Sequence, residues 1–224
     1  MKNSKSNFGI LYRDELRGFF HSRVMLVLWI GLPLVSLFFQ LLQPDVDGMP
    51  LLTFTALMIG SIGGTLSSVL MATTITGERV NKIYDLFLVR PVSRALLMLA
   101  KYFAALSCLF LAAVLALGLG LVVDLAKGLP SFSLLTQLLQ PLALAMAAMA
   151  IASAVGLLFG VLFNSVAASA ILSVYLGNQL SALAILPGLF FSERTALLLA
   201  VSGGILLPAL ILSVAIGIFR KKVL

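Results

Sequence analysis

Long apolar runs alternate with short polar segments along the chain, and this alternation predicts its main structural elements. Six runs reach the length of about 20 residues that a helix needs to cross the ~30 Å hydrocarbon core of a membrane. Several runs are longer, so those helices would tilt or extend beyond the core. The pattern predicts transmembrane helices at about residues 24–43, 51–75, 95–123, 134–163, 166–186 and 196–219.

Two further segments have helical periodicity but carry too many charges to cross a membrane. The first, FGILYRDELRGFFHSR, spans Phe8–Arg23, and its apolar residues recur at helical spacing. Such a stretch predicts an amphipathic helix on the cytosolic membrane surface, within an N-terminal segment of residues 1–23.

The second charged segment, GERVNKIYDLFLVRPVSR, spans Gly77–Arg94 between the second and third apolar runs. Thr76 is a suitable N-cap, and Pro91 disfavours helix at the residue before it. Between these two residues, five apolar side chains fall on one helical face. They are Val80, Ile83, Tyr84, Phe87 and Leu88. We therefore predict a short amphipathic helix at about residues 78–90, on the cytosolic side.

Composition favours a membrane protein as well. Hydrophobic residues make up 61% of the chain and charged residues 10%, whereas soluble domains average about 45–50% and about 25%. The predicted fold class is therefore all-α, with a single polytopic transmembrane domain over residues 1–224 that is surrounded by membrane lipid.

The distribution of basic residues predicts the orientation. Thirteen of the fifteen Lys and Arg residues fall on one side of the predicted spans, and only Lys127 and Arg194 fall on the other. Basic residues accumulate on the cytosolic side of membrane proteins. Both termini and the Asn164–Ser165 turn are thus predicted to be cytosolic, in a multi-pass protein of the cell (inner) membrane. The net charge of +7 then anchors the protein at the membrane, so we expect no nucleic-acid partner.

Residue types that carry catalysis or bind metals are scarce. His21 is the only histidine and Cys108 the only cysteine, too few for the three or four such ligands of a typical zinc site. The sequence contains no G-x-x-x-x-G-K-[ST] motif, the loop that cradles nucleotide phosphates. We therefore expect no enzymatic activity, no catalytic or metal-binding residues and no cofactor in this chain.

Charged and polar residues inside the predicted spans are few. No predicted span contains a carboxylate, which argues against coupling to protons or sodium ions. Lys101 lies near the start of the third span, where its side chain can extend to the inner interface. Five polar residues in the fourth and fifth spans either line a substrate path or only bond between helices. They are Gln137, Gln140, Tyr175, Asn178 and Gln179.

Two glycine pairs, Gly60/Gly64 and Gly156/Gly160, lie within spans at a spacing of four residues. This spacing allows two helices to approach closely. We expect these faces to offer close-packing surfaces to a second copy of the chain.

One long stretch resembles a known family. ITGERVNKIYDLFLVRPVSRALLMLAK, from Ile75 to Lys101, resembles the segment between spans two and three of type-2 ABC exporter permeases. The matching residues are Glu78, Arg79, Leu86, Pro91, Val92, Ser93, Arg94 and Lys101. The stretch RDELRGFFHSRVMLVLWIGLPLVSLFF resembles the family's interfacial helix and first span. These stretches cover about a quarter of the chain, and the six-span layout extends the resemblance over all of it. Where the family often has Gly-Thr before its leucine pair, this chain has Asn81 to Tyr84.

The resemblance implies a half-size permease, two copies of which, or one copy and a similar permease, form a substrate pathway. It also implies a separate cytosolic ABC ATPase subunit that binds ATP and Mg²⁺. The helix at about residues 78–90 would be the coupling helix that docks on this ATPase. Its coupling residues would be Glu78, Arg79, Ile83, Tyr84, Phe87 and Arg90.

Two alternatives remain open at the level of sequence. A haem-exporter-like permease of cytochrome assembly would keep the ATPase partner but carry a different cargo. A membrane scaffold that transports nothing would need no ATPase at all.

Overall fold

The chain folds as a bundle of long helices. The computed structural model describes residues 4–42, 51–81, 93–126, 131–190 and 193–222, and within these ranges there are helices and no strands. The helices are α1 (Ser4–Phe20), α2 (Arg23–Leu42), α3 (Leu51–Val80), α4 (Arg94–Ala126), α5 (Ser131–Leu162), α6 (Val166–Phe190) and α7 (Glu193–Lys222). Among the described residues, the six helices α2 to α7 are long and apolar enough to cross a membrane. The predicted all-α fold with six spans is confirmed.

Contacts between helices show that the spans alternate in direction. Gly60 of α3 lies beside Ala145 of α5, and Ile75, further along α3, lies beside Gly160, further along α5. The two helices therefore run parallel, as the second and fourth spans of an alternating bundle must. Later residues of α2 likewise contact later residues of α4, so these two helices also run parallel.

One end of the bundle gathers most of the charged residues. Here α3 ends, α4 begins and α5 turns into α6 at Asn164–Ser165, and we call it the basic end. It corresponds to the side that the basic residues predict to be cytosolic. Because the helices α2 to α7 alternate in direction, α2 begins and α7 ends at this same end of the bundle.

The most buried span is α5, with 72% of its most apolar stretch inside the bundle. It packs against α3, α4, α6 and α7. Its middle is rich in alanine, from Ala143 to Ala154, and such small side chains let neighbouring helix backbones approach closely.

The predicted amphipathic helix at the N-terminus is present as α1, which packs mainly against α4. Phe19 is buried in the core, and Leu16 and Tyr12 pack against it. The Tyr12 hydroxyl lies 2.7 Å from the Ser107 hydroxyl of α4. The apolar face of α1 is therefore covered by the bundle.

Two predicted helix ends are wrong. The chain does not begin a new helix at Thr76, because α3 continues through it to Val80. The buried Thr76 hydroxyl donates instead to the Ser169 hydroxyl of α6 at 2.9 Å, so it joins two helices rather than capping one. The fifth predicted span, at about residues 166–186, also ends too early, since α6 extends to Phe190.

The glycine pairs are not surfaces for a second copy. Gly60, Gly64, Gly156 and Gly160 all face the neighbouring helix of the same chain, at the contact between α3 and α5. A Cβ at Gly60 would lie 3.1 Å from the Ala145 Cα. These glycine faces are already occupied by helices of the same chain. Any contact between two copies must therefore use another face.

Candidate functional site

Three charged side chains from three helices meet at the basic end. The Lys101 ammonium of α4 donates to Glu15 Oε2 of α1 at 3.0 Å and to Glu78 Oε1 of α3 at 2.7 Å. Lys101 is only 3% exposed, so its ammonium ends at these two carboxylates and is covered by the bundle. It stays inside because two carboxylates solvate its charge there, as a buried ammonium requires. We call Lys101, Glu15 and Glu78 the charge cluster.

The charge cluster holds one more negative than positive group when all three are ionised. Burial of Glu15 raises the pKa of its carboxyl above the usual value, although the neighbouring Lys101 ammonium acts in the opposite direction. The carboxylates of Glu78 and Asp14 add to this increase in pKa through charge repulsion.

Sequence reasoning missed this cluster. It held that no span contains a carboxylate, yet the stretch of α3 that can cross a membrane continues to Val80 and includes Glu78. The available signal was Lys101 itself, because a basic residue within an apolar run needs a partner. Identifying Glu15 as that partner required the docked position of α1.

Arg79, next to Glu78, points to the other side of α3. Its guanidinium donates to the carbonyl oxygens of Val161 and Phe163, and to Asn164 Oδ1 at 2.6 Å. Carbonyls in the last turn of a helix have no partner within that helix, and a cation there interacts favourably with the helix dipole. Arg79 therefore caps α5 and ties the end of α3 to the turn between α5 and α6.

The end of α3 is thus held on two sides by adjacent residues. Glu78 joins it to α1 and α4, and Arg79 joins it to α5. The segment 82–92, which connects α3 to α4, follows immediately, and Lys101 lies about two turns beyond its far end. Both attachment points of this segment are therefore part of one ion-paired framework.

Four of the predicted coupling residues, Ile83, Tyr84, Phe87 and Arg90, lie outside the described residues, and so does most of the predicted coupling helix. Glu78 and Arg79 are described, and the contacts above lie within the chain. Their role toward an ATPase stays a prediction.

A second polar feature lies on the exposed face of α6. Tyr175 is 64% exposed, and Asn178 and Gln179 are exposed beside it. The opposite face of α6 carries a buried stripe of small residues that packs against α3 and α5. These small residues are Ser169, Ser173, Gly177 and Ser181. The three larger polar residues therefore face away from the bundle and do not lie between helices of this chain.

Along α6, these side chains lie near the middle of the stretch that is long and apolar enough to cross a membrane. At a rise of ~1.5 Å per residue, Tyr175 and Gln179 lie roughly 14 and 20 Å along α6 from Val166, near the middle of a ~30 Å core. An amide placed in hydrocarbon without a hydrogen-bond partner costs several kcal/mol. A lone chain in lipid would bear this cost at both Asn178 and Gln179.

The hydropathy of α6 does not fit its exposure. Its candidate span has a mean hydropathy of 1.3, the lowest of the six, and only 22% of that stretch is buried. By contrast, α7 is similarly uncovered, at 17% buried, but has a mean hydropathy of 2.4. Lipid suits α7, whose exposed residues include Ile205, Leu206 and Leu210. The exposed face of α6 calls for polar surroundings or a protein partner.

The other two predicted path residues are not beside these three. Gln140 is partly buried on α5, and lies 22 positions before the end of that helix, or roughly 33 Å from the basic end at ~1.5 Å per residue. Gln137 falls within α5, but its side chain is outside the described part of the structure. The structure thus groups Tyr175, Asn178 and Gln179 on one face and places Gln140 at another depth.

Comparison with known proteins does not identify the family, since no protein-family model and no curated protein matches the chain with significant similarity.

Proposed function

We propose that this chain is the transmembrane permease subunit of an ATP-driven exporter of the type-2 ABC kind. Two copies, or one copy and a similar permease, face each other and enclose a substrate path. A separate cytosolic ATPase subunit binds ATP and Mg²⁺ and docks on the segment that joins α3 to α4. The membrane is the cell (inner) membrane, and both termini are cytosolic.

One observation carries the proposal: the least apolar span is also one of the most exposed. Tyr175, Asn178 and Gln179 lie at mid-membrane depth on an uncovered face of α6. A path between two copies gives these groups water, substrate or each other as hydrogen-bond partners. Polar residues that would be costly in lipid are common in membrane proteins where they line such a pathway.

The ion pairs and hydrogen bonds at the basic end support the proposal that an ATPase docks on the segment between α3 and α4. A docking segment transmits movement only if its ends are fixed to the helices that must move. Glu78 and Lys101 join the end of α3 to the start of α4 at 2.7 Å, and Arg79 extends this connection to α5. A push on residues 82–92 would then reach three spans together.

The experiment that tests this function is affinity purification of the tagged chain from its own membranes in mild detergent. The proposal expects a P-loop ATPase to co-purify in a ratio near one to one, and the complex to hydrolyse ATP. Vanadate, which traps ABC ATPases, should abolish that hydrolysis. A preparation that is pure, folded and dimeric but contains no ATPase would favour the scaffold alternative.

The haem-exporter-like alternative keeps the ATPase, so co-purification does not exclude it. Absorbance of the purified complex in the haem Soret region, after incubation with haem, separates the two. The exposed α6 face offers a phenol and two amides and, among its described residues, neither histidine nor cysteine, the usual axial ligands of haem iron together with methionine. The proposal therefore expects no stoichiometric haem complex.

A further inference from the structure

A groove with a volume of about 220 Å³ runs between α5 and α7 at the surface of the bundle. Four residues of α5, from Ala143 to Ala150, and four residues of α7, from Ala200 to Ile205, line it, and none of these eight side chains is polar. Val201 and Ile205 are exposed, so the groove is open to the surroundings of the bundle. Both lining segments fall within stretches that are long and apolar enough to cross a membrane, so these surroundings are hydrocarbon.

The groove exists because its lining residues are small while a direct contact keeps the two helices apart. A Cβ added at Gly204 of α7 would lie 2.7 Å from the Ala147 Cβ of α5, so the helices cannot come closer at this level. The neighbouring alanines of α5 are too short to fill the space beside the contact. Toward the basic end, the larger Ile151 of α5 and Leu207 of α7 pack in one apolar cluster, which closes the groove on that side.

We propose that this groove is a binding site for one acyl chain of a membrane phospholipid. An apolar cavity of ~150 Å³ in a protein stays dry and accepts a hydrocarbon guest, and this groove is larger and has no polar side chain. An empty groove would forfeit the dispersion contacts of every residue that lines it. The inference concerns α5 and α7 only, and it holds whether or not the chain is a permease.

The depth of the groove identifies the leaflet that supplies the chain. At ~1.5 Å per residue, Val201 lies about 6 Å from Leu197, where the candidate span of α7 begins. Ala150 likewise lies about 18 Å from Leu138, where the candidate span of α5 begins. Both spans begin at the end opposite the basic end, so the groove extends from near that surface to the middle of a ~30 Å core. The phospholipid therefore belongs to the leaflet opposite the basic end.

A second copy of the chain is the alternative occupant, and the surface around the groove favours lipid over it. The groove opens past Ile205 onto the uncovered face of α7, which also exposes Leu206 and Leu210. This span has a mean hydropathy of 2.4, and neither its exposed leucines nor the groove lining carries a side-chain group that would gain a hydrogen bond from a protein partner. The polar groups that call for such a partner lie instead on α6.

Photo-crosslinking of the full-length chain in nanodiscs tests the site. The nanodisc lipid is phosphatidylethanolamine mixed with phosphatidylglycerol, and the probe is a phosphatidylethanolamine with a photoreactive diazirine in the middle of one acyl chain. After illumination and digestion, mass spectrometry locates the label. The proposal expects label on the α5 segment from Ala143 to Ala150, although α5 is the most buried span.

Two matched variants separate a bound chain from bulk lipid. Ala143→Phe places a ring in the groove and should lower labelling of the α5 segment about tenfold or more, because the ring takes the place of the acyl chain and its dispersion contacts. Ala209→Phe makes the same change at an exposed position of α7 that does not line the groove, and it should label as the unmodified chain does. Labelling around Ile30, on the exposed face of α2, is the reference for bulk lipid in each sample.

Three outcomes would overturn the proposal. The first is label on the exposed faces of α2 and α7 with none on the α5 segment of the unmodified chain, which would mean contact with bulk lipid only. The second is equal labelling of the α5 segment in Ala143→Phe and Ala209→Phe. The third is an oxidised dimer of Val201→Cys in a Cys108→Ala background, which would assign the groove to a second copy. If Ala143→Phe cannot be purified in folded form, the first and third outcomes still decide.

Discussion

The backbone of Gly156 in α5 packs directly against the backbone of Ser68 in α3. A Cβ added at position 156 would lie 2.8 Å from the Ser68 Cα, closer than non-bonded carbons approach in real structures. This contact joins the two parallel spans at the centre of the bundle, next to Gly177 of α6. It fixes the surface against which α6 lays its row of small residues, and thereby determines which face of α6 stays uncovered.

Gly156→Ala should destabilise the bundle by about 1–3 kcal/mol, the usual cost of forcing a methyl group into a closely packed site. The measurement is thermal unfolding of the purified chain in detergent. Gly118→Ala is the control, because nothing lies within 4 Å of a Cβ at that position. Equal stability of the two variants would show that α3 and α5 are not in backbone contact.

The sequence was sufficient to predict where the spans lie, but not which spans pack against each other. An apolar run of sufficient length is a local property, and all six predicted spans are present, with their ends displaced by a few residues. The glycine spacing at Gly156 and Gly160 correctly indicated close approach, but a spacing does not name the helix that approaches. Assigning it to a second copy was wrong because α3 of the same chain already occupies that face.

The candidate sites show the same limit. Tyr175, Asn178 and Gln179 could be chosen from sequence because polar residues are rare in apolar runs, but whether they face inward or outward depends on how α6 packs. Glu15 and Lys101 are 86 positions apart, and no local pattern connects them. Their meeting follows from the docking of α1 on α4, which periodicity alone does not specify.

Arg79→Lys should loosen the turn between α5 and α6 even though it preserves the charge. A single ammonium cannot reach the Val161 and Phe163 carbonyls and the Asn164 side chain together as a planar guanidinium does. A hydrogen bond to a charged donor contributes about 1.5–3 kcal/mol, so amides from this turn should exchange with deuterium about tenfold faster or more.

Hydrogen–deuterium exchange of peptides covering the turn checks this prediction. Peptides from the middle of α4 serve as the internal control and should not change. Unaltered exchange at Phe163 and Ser169 in Arg79→Lys would mean that Arg79 does not cap α5.

The predicted orientation can be checked by labelling single cysteines from outside the cell. In a Cys108→Ala background, Asp47→Cys should react with a membrane-impermeant maleimide, whereas Lys222→Cys should react only after the membrane is permeabilised. The reason is the excess of basic residues on the side of Lys222. Labelling of Lys222→Cys in intact cells would contradict the orientation and the cytosolic position of segment 82–92.

If the chain binds an ATPase as we propose, replacing Tyr84 and Phe87 by alanine should weaken that binding. Aromatic residues buried in an interface can each cost about 2–4 kcal/mol when truncated. The double variant should insert in the membrane and assemble normally, but bind the ATPase weakly and lose most of its ATP hydrolysis. Phe110→Ala, which changes an exposed aromatic residue of α4, should leave both properties intact. If the double variant supports ATP hydrolysis at the wild-type rate, segment 82–92 only connects α3 to α4 and does not couple to an ATPase.

The central claim is that the exposed face of α6 meets a second copy across a shared path, and cysteine cross-linking in native membranes tests it most directly. Tyr175→Cys and Leu210→Cys are compared in a Cys108→Ala background. Both positions are 64% exposed, and each lies nine residues from the basic end of its candidate span, Val166 for α6 and Phe219 for α7. The account predicts an oxidised dimer for Tyr175→Cys and almost none for Leu210→Cys. No dimer at Tyr175→Cys, or equal amounts for both variants, would contradict it.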